Sequence, residues 1–411
     1  MLALVSQAGR RVAAALTYRD FRLLWFGALT SSIGTWMQKV AQAWLIVTLT
    51  STASAFYLGL DAFLGELPIL LFTLIGGVVA DRRDRRQMML GSQYVQMTAA
   101  FTLAALVYFD HAAIPYILLL SFLTGCAQAF GGPAYQSLIP SLIDKKDLPN
   151  AIALNSIQYN LARVIGPLVA GVALATLGMV ACFGLNGVSF LFVIAAILAL
   201  RIRHVPVMHT EKMLAQLKGG LRYVQAEPSL VTLTILGFVS AFLGLPLLTF
   251  LPIVARDVFQ QDVALYTRFM TFSGAGAVLG ALLVAWIGKH RHMGKLLLVL
   301  QAGLGLAIIA FSYSRAIWLS SLLIFFAGGM LVMCFSLLTS LVQLLAPHEL
   351  RGRVVSIYMV AFRGGSPLGG LVAGWLVTVL GSAPLVLALN GSALVLVASY
   401  VLVRGHGLKE V

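Results

Sequence analysis

Long apolar stretches recur along the whole chain, and they restrict it to folds that are stable in a lipid bilayer. A membrane-spanning helix needs about 20 predominantly apolar residues, and few soluble helices run that far without polar interruption. Of the 411 residues, 60% are hydrophobic and 10% are charged, a composition far more apolar than that of soluble domains. The pattern predicts an all-α integral membrane protein.

We predict twelve transmembrane helices from these stretches. Their predicted ranges are 21–49, 54–80, 88–108, 114–138, 150–177, 181–200, 230–255, 266–287, 295–313, 317–345, 353–380 and 384–403. The opening MLALVSQAGRR has too short an apolar region for a cleaved signal peptide, so we expect the first helix to be retained. The three cysteines fall inside predicted spans, and we expect no disulfide.

Positive charge is concentrated on one side of the predicted helices. Of the 28 lysines and arginines, 22 lie in the termini and in the loops on the same side as the termini. Only Arg256, Arg268 and Arg315 lie in the opposite loops. Because Lys- and Arg-rich loops stay in the cytosol, we expect both termini to be cytosolic. The spread of these charges over many loops also argues against a nucleic-acid partner and favours the lipid bilayer as the partner.

The two halves of the chain repeat each other in the same order and orientation. ARVIGP at 162–167 matches FRGGSP at 362–367, and LNGVS at 185–189 matches LNGSA at 389–393. Parallel repeats of this kind are related by an axis along the membrane normal. We predict an N-terminal six-helix bundle at 1–200, a cytosolic linker at 201–228 and a C-terminal six-helix bundle at 229–411.

The sequence carries no motif of an enzyme. GxxxxGK[ST], GxSxG and HExxH are absent, and the string GAGAVLG lacks the third glycine of a dinucleotide fingerprint. His290 and His292 have no cysteine or acidic neighbour that would complete a metal site. We therefore expect a protein that is not an enzyme and that holds neither a cofactor nor a metal.

A charged segment, GGVVADRRDRR at 76–86, follows the second predicted helix. With twelve helices in two parallel halves, its residues Gly77, Asp81, Arg82, Arg85 and Arg86 resemble the signature loop of the major facilitator superfamily. Further segments resemble the bacterial branch that includes the enterobactin exporter and macrolide-efflux-like proteins: Glu66-Leu-Pro68, PAYQSLIP at 133–140, Asn150-Ala151, Asn155, RVIGP at 163–167 with Gly171, and RGRV at 351–354. The resemblance implies the major facilitator fold in a bacterial inner (plasma) membrane, and we expect a monomer.

The aspartate of the signature loop requires a positive partner. Asp81 lies at the cytosolic C-terminus of the second helix, where the helix dipole disfavours an acid. The resemblance implies that this helix faces the eleventh, which begins near Arg353. We predict that the five signature residues and Arg353 form a conformational latch favouring the outward-open state. The alternative for the arginines is a role in topology alone.

Five charged residues lie inside the predicted spans and away from their ends: Lys39, Asp61, Glu66, Arg163 and Arg363. Each costs at least about 2.5–3.5 kcal/mol on insertion scales and should face a cavity or a partner. Because burial raises the pKa of a carboxyl group, we predict that Glu66 carries protons, with Asp61 second. Proton release would follow the approach of Arg163 or Lys39, or the entry of water. The alternative is a permanent ion pair that only braces the helices.

Uncharged polar and aromatic groups also occur inside the predicted spans. We predict a substrate site from Gln38, Gln42, Gln128, Gln136, Asn155, Gln158, Tyr159 and Arg363. Trp36, Trp44, Tyr135, Phe242 and Phe272 are candidates for an aromatic lining. Such a cavity suits an amphipathic small molecule. The resemblance implies a proton-coupled exporter of siderophores or drug-like compounds. An importer, a lipid flippase and a transport-inactive sensor or partner protein are the alternatives.

Overall fold

A computed structural model of the protein describes residues 14–50, 53–201, 221–288, 292–347 and 349–404. The side chains of Leu74, Val78, Ala80, Asp81 and Arg82 are outside the description. Within the described ranges the regular structure is helical and no strand occurs, so the predicted all-α class is confirmed.

Twelve long helices follow one another through the described ranges, and we number them α1 to α12. Their bounds are α1 Arg19–Leu49, α2 Ser54–Arg82, α3 Arg85–Tyr108, α4 Ile114–Leu138, α5 Leu148–Thr176, α6 Gly178–Ala199, α7 Pro228–Gly244, α8 Val263–Ile287, α9 Met293–Tyr313, α10 Ile317–Leu345, α11 Arg351–Leu380 and α12 Ala383–Arg404. Short 3₁₀ helices occur at Ala14–Thr17, Ile139–Ser141 and Lys145–Asp147. The number and order of the long helices agree with the sequence.

The predicted seventh helix, 230–255, is wrong in one respect, because the chain there is not one continuous helix. α7 ends at Gly244 and is followed by short helices at Pro246–Thr249 and Leu251–Ile253 and by a π-helical turn at Val254–Val258. Pro246 and Pro252 cause the interruptions, since a proline has no N–H to donate and its ring displaces the carbonyl four residues earlier.

Nine helical segments of the described chain are apolar and long enough to span a membrane on composition alone. α1, α3 and α11 are not among them. α1 and α11 carry Lys39 and Arg363, and α3 begins with two arginines and contains three glutamines. Polar side chains of this kind lower the mean hydropathy of a helix. Such a helix can still span a membrane when neighbouring helices cover its polar side chains.

The chain packs as two compact units. The first comprises Met1–Leu45 and Leu64–His209, and the second comprises Ile46–Phe63 and Thr210–Val411. The end of α1 and the start of α2 therefore pack with α7 to α12. The predicted linker falls largely on residues 202–220, outside the described residues, and the predicted bundle boundaries stay a prediction.

Each unit has its own apolar core. In the first unit, Phe21, Trp25 and Phe190 are buried with residues of α3 to α6. In the second, Leu233, Leu297 and Tyr358 are buried with residues of α9 to α12. In a bilayer these cores are held by close packing and not by exclusion of water from the outer face.

The repeated LNG segments allow helices to approach closely in both units. A Cβ on Gly187 of α6 would lie 2.6 Å from the ring of Phe101 on α3. A Cβ on Gly391 of α12 would lie 2.6 Å from the carbonyl oxygen of Gly305 on α9. Neither distance leaves room for a side chain. Gly187 and Gly391 therefore both permit close helix packing, in the pairs α3–α6 and α9–α12.

Candidate functional site

Four side chains of the first unit converge between α1 and α5, and we call Trp36, Lys39, Tyr159 and Arg163 the Trp36 cluster. Lys39 Nζ lies 5.1 Å from the centroid of the Trp36 ring and Arg163 Cζ lies 5.9 Å from it. The Tyr159 ring lies edge-on at 6.1 Å. Spacings of i,i+3 on α1 and i,i+4 on α5 place each pair on one helix face. A cation–π contact is worth about 0.5–2 kcal/mol, which is less than the cost of placing the cation in a membrane.

The position of Trp36 is fixed by a close contact between the two helices. A Cβ on Gly166 of α5 would clash with Cβ of Trp36, so only glycine allows this approach. Gly166 lies one turn beyond Arg163, and Pro167 next to it leaves the Arg163 carbonyl without its helical partner. The place where the Trp36 side chain leaves α1 is thus set by the close approach of α1 and α5. Lys39 and Tyr159 are exposed, while Trp36 and Arg163 are partly buried.

Glu66 lies near the middle of α2, two residues before the helix proline Pro68. Its side chain is partly buried and forms no ion pair or hydrogen bond with any residue that the structure describes. Asp61 is also partly buried, belongs to the second unit and does interact with a neighbouring group. The proton-carrying role of Glu66 and Asp61, and the part of Lys39 and Arg163 in it, stay predictions.

Most of the predicted substrate-binding amides form hydrogen bonds between helices of the first unit. Gln38 Oε1 accepts from Asn186 at 2.6 Å, Gln42 donates to Ser121 at 2.8 Å, and Gln128 donates to Gln96 at 3.3 Å. Asn155 Oδ1 accepts from the Tyr135 hydroxyl at 2.6 Å. Gln158 is buried and donates to the Ala28 carbonyl and the Ser32 hydroxyl. These bonds hold the helices in register.

The remaining predicted substrate residues are exposed. Gln136 lies near the end of α4, Tyr159 belongs to the Trp36 cluster, and Arg363 lies near the middle of α11 in the second unit. The structure therefore brings together the cationic and aromatic residues of the first unit, while the amides are engaged with one another.

Two arginines of the predicted latch bind helix ends within the first unit. Arg85 donates to the Ser137 carbonyl at 3.1 Å at the end of α4, and Arg86 donates to the Leu198 carbonyl at the end of α6. Asp84 caps α3 by accepting from the Arg86 backbone N–H at 2.8 Å. C-terminal carbonyls of a helix lack partners and carry partial negative charge, which these arginines satisfy.

The rest of the predicted latch cannot be assigned to contacts. The side chains of Asp81 and Arg82 lie outside the described residues. Arg353 is partly buried near the start of α11 and interacts with another group. A Cβ on Gly77 would meet no atom within 4 Å in the described part of the chain. The latch stays a prediction.

Sequence reasoning missed the structural role of Arg256. Its guanidinium donates to the carbonyls of Val47 and Thr50 and to the Ser54 hydroxyl, and it pairs with Asp257. All five residues belong to the second unit. Arg256 lies in the π-helical turn after Pro252, and turns of this kind often occur at functional positions. The two nearby prolines of the seventh span were the available signal.

Sequence reasoning also missed a polar contact before α1. The Tyr18 hydroxyl lies 2.8 Å from an Asp147 carboxylate oxygen and 2.9 Å from one of Asp144. These hydrogen bonds to carboxylates, foremost that to Asp147, raise the pKa of the Tyr18 phenol, since ionising it would place like charges together. Tyr18 therefore stays neutral and ties the start of α1 to the segment between α4 and α5.

Twelve long helices with charged side chains near the middle of several spans define the class: a multi-pass membrane protein with the architecture of a secondary transporter. The family model described as transmembrane secretion effector matches residues 12–411. The chain therefore belongs to this family of the major facilitator superfamily, whose members are transporters and not enzymes.

Similar proteins extend over nearly the same length. The chain is 28% identical to the multidrug efflux pump Tap of Mycolicibacterium fortuitum, over 90% of this chain and 91% of that one. It is 23% identical to macrolide efflux protein A of Streptococcus pyogenes, over 85% and 87%. It is 24% identical to the enterobactin exporter EntS of Escherichia coli, over 88% and 86%. The resemblance inferred from the sequence is confirmed.

The solved structures agree with the fold. A bacterial homologue of the human lysosomal transporter Spinster, in an inward-facing and occupied conformation, matches with a TM-score of 0.72. It covers 94% of this chain and 97% of its own, at 15% identity. The predicted major facilitator fold is thereby confirmed.

Proposed function

We propose that the protein exports amphipathic small molecules, siderophore or drug-like, from the bacterial cytosol by alternating access, in exchange for protons. The observation that carries the proposal is the set of relatives named for efflux or export, each aligned over more than four fifths of the chain. Two six-helix bundles at 1–200 and 229–411 would rock about the site, with both termini in the cytosol. We expect the transporter to act as a monomer.

The Trp36 cluster and Glu66 support a site of this kind within the first unit. Glu66 lies near the middle of α2 and forms no ion pair with a described residue, so the span holds a carboxyl group that the proposed proton exchange can use. The cationic and aromatic side chains of the Trp36 cluster offer contacts to a polar and an apolar part of one solute. A carrier that binds both a proton and a solute can couple their movements when each is released to opposite sides.

The experiment uses the full chain in inside-out proteoliposomes with an imposed pH gradient, acidic inside, and a panel of labelled amphiphiles. Wild type should accumulate at least one compound against its gradient. Glu66→Gln cannot carry a proton, so its accumulation ratio should fall to one while the folded protein is retained. Glu349→Gln changes an exposed glutamate in the loop before α11 and serves as the matched control.

Each other outcome contradicts a stated part of the proposal. Uphill transport by Glu66→Gln equal to that of wild type would rule out Glu66 as the coupling group. Transport only from the lumen to the outside of these inside-out vesicles, which corresponds to uptake into the cell, would indicate an importer. A lipid that copurifies and is moved between leaflets would indicate a flippase, and no flux of any compound would favour a sensor.

A further inference from the structure

We propose that the Trp36 cluster binds the anionic, planar aromatic part of the transported solute. The inference rests on the proposed function and narrows its substrate class. A suitable ligand carries a carboxylate or sulfonate on a flat ring, with the ring against Trp36 and Tyr159 and the anion between Lys39 and Arg163.

The charge of the cluster is the first reason. Two cations flank one neutral indole. The spans contain only two acids, Asp61 and Glu66, and Glu66 forms no ion pair in the described chain. Neither Lys39 nor Arg163 forms an ion pair with a described residue, so a net positive charge remains beside Trp36. An uncompensated cation is costly at this depth, and an anionic ligand would supply the missing charge.

The shape of the cluster is the second reason. Trp36 leaves α1 at its close contact with Gly166 of α5, and the Tyr159 ring stands at 71° to the indole. Two rings at this angle present a face and an edge, which suits a third flat ring.

The chemistry of the two cations is the third reason. The Arg163 guanidinium presents parallel N–H groups that match the two oxygens of a carboxylate, and Lys39 adds a mobile point charge. With Lys39 and Tyr159 exposed, a solute can reach the cluster without disturbing the contact between α1 and α5. A cationic amphiphile would find the same rings but would be repelled by both side chains.

The test compares two probes that share a ring and differ in charge. Binding of 2-naphthoate and of 2-naphthylmethylammonium to the full chain in nanodiscs is measured by equilibrium titration. Empty nanodiscs are subtracted to remove partition into lipid. Wild type should prefer the anion by at least about tenfold, the scale of one charge-assisted hydrogen bond.

Variants locate the preference. Arg163→Gln and Lys39→Gln should each weaken 2-naphthoate binding about tenfold, and Trp36→Phe should weaken both probes several-fold. Arg163→Lys keeps the charge without the fork and should fall between wild type and Arg163→Gln. The matched control is Arg268→Gln, because Arg268 also lies over an aromatic ring, 5.7 Å from Phe272, but on α8 in the second unit. It should bind both probes as wild type does.

The outcomes separate this inference from the proposed function. Equal binding of the two probes by wild type, or unchanged 2-naphthoate binding in both Arg163→Gln and Lys39→Gln, would overturn the site. If Arg163→Gln does not fold, Lys39→Gln and Trp36→Phe test the site alone, and unchanged 2-naphthoate binding in both variants would overturn it. A protein that binds 2-naphthoate through the cluster but transports nothing keeps the site and refutes the exporter. Uphill transport of 2-naphthoate that is unaffected in these variants keeps the exporter and refutes the site.

Discussion

Arginine guanidinium groups cover the C-terminal ends of three helices in this protein. Arg85 and Arg86 bind carbonyls at the ends of α4 and α6, and Arg256 binds those at the end of α1. The last carbonyls of a helix have no partner within it, and a bilayer supplies little water to replace one. Arginine suits the position because its five N–H groups can reach several acceptors at once.

Replacing Arg256 should destabilise the C-terminal end of α1. In Arg256→Gln, the Val47 and Thr50 carbonyls and the Ser54 hydroxyl lose a charged donor. Hydrogen bonds to charged groups contribute about 1.5–3 kcal/mol, and partial exposure of the arginine places the expected loss near the lower end. The apparent thermal midpoint in detergent should fall by a few degrees.

Arg256→Lys gives the matched comparison, since it keeps the charge but can satisfy fewer acceptors. Its midpoint should lie between those of wild type and Arg256→Gln. Identical midpoints for all three proteins would mean that the end of α1 does not depend on this arginine.

Sequence reasoning singled out the charged residues inside the spans, whose roles stay a prediction, but it did not identify the partners of the uncharged ones. Lys39, Glu66, Arg163 and Arg363 stand out because a charge inside an apolar stretch is rare. A glutamine or asparagine in a span does not show whether its amide binds a solute or a neighbouring helix. Whether Gln38 meets a solute or Asn186 depends on how α1 and α6 are rotated against each other, which neither composition nor periodicity determines.

At the scale of helices, proline and glycine act in pairs. Pro133 of α4 frees the carbonyl of Ala129, and Gly76 of α2 approaches that oxygen so closely that a Cβ would clash. Pro246 similarly frees the carbonyl of Phe242 in α7, and Gly369 of α11 approaches it. A glycine Cα–H can donate a weak hydrogen bond to a carbonyl. The glycine therefore gives the carbonyl freed by the proline a weak hydrogen-bond donor, and the contact brings the two helices close together.

The tightest helix crossing in the second unit predicts the effect of one methyl group. A Cβ on Gly276 of α8 would collide with the Phe325 carbonyl of α10, so Gly276→Ala must separate the two helices. We expect a loss of about 1–3 kcal/mol in stability, the usual cost of overpacking, seen as a lower thermal midpoint and a lower yield of folded protein.

Gly184→Ala is the control for this change, because a Cβ on Gly184 of α6 would meet nothing within 4 Å in the described chain. Alanine is the better helix former by about 1 kcal/mol, so this variant should be as stable as wild type or slightly more stable. Loss of stability in Gly184→Ala to the same extent would show that the effect is not specific to the crossing.

Helix bounds were predicted closely, and several of the errors at helix starts have a common cause. α1, α3, α5 and α11 begin two or three residues before the predicted starts at 21, 88, 150 and 353. Hydropathy marks the residue at which a span becomes apolar. The helix itself begins earlier, because polar residues such as Arg85 and Arg351 already have helical backbone. The ends at Leu138 and Leu345 were predicted correctly. The break after Gly244 was missed because the residues around it stay apolar.

At the scale of the whole molecule, sequence determined the fold through repetition. The twelve apolar stretches, the one-sided basic loops and the two LNG segments each exclude most other architectures, and the family match agrees with them. Substrate and direction are not encoded in this way. A membrane span requires only apolar surface, so the few residues that choose a solute leave almost no mark on hydropathy or periodicity.

The predicted cytosolic latch concerns the conformational equilibrium of the whole transporter. Asp81 lies in the last turn of α2, where the helix dipole raises the energy of a carboxylate, and a positive partner near Arg353 would relieve it. If this pair favours the outward-open state, Asp81→Asn should shift the equilibrium inward by about 1–2 kcal/mol, which is roughly five- to thirtyfold in the ratio of states. Cysteines placed at the two faces of an otherwise cysteine-free chain would report the ratio through their labelling rates.

Asp84→Asn is the matched control because it removes an acid from the same loop without the same consequence. Asp84 accepts from the Arg86 backbone N–H as the N-cap of α3, and asparagine caps a helix about as well as aspartate. The ratio of states should therefore stay near that of wild type. Arg353→Gln should reproduce the shift of Asp81→Asn, and the double variant should add little, since both single changes break one pair. An unchanged ratio in Asp81→Asn, or equal shifts in Asp81→Asn and Asp84→Asn, would remove the basis for a specific latch at this face.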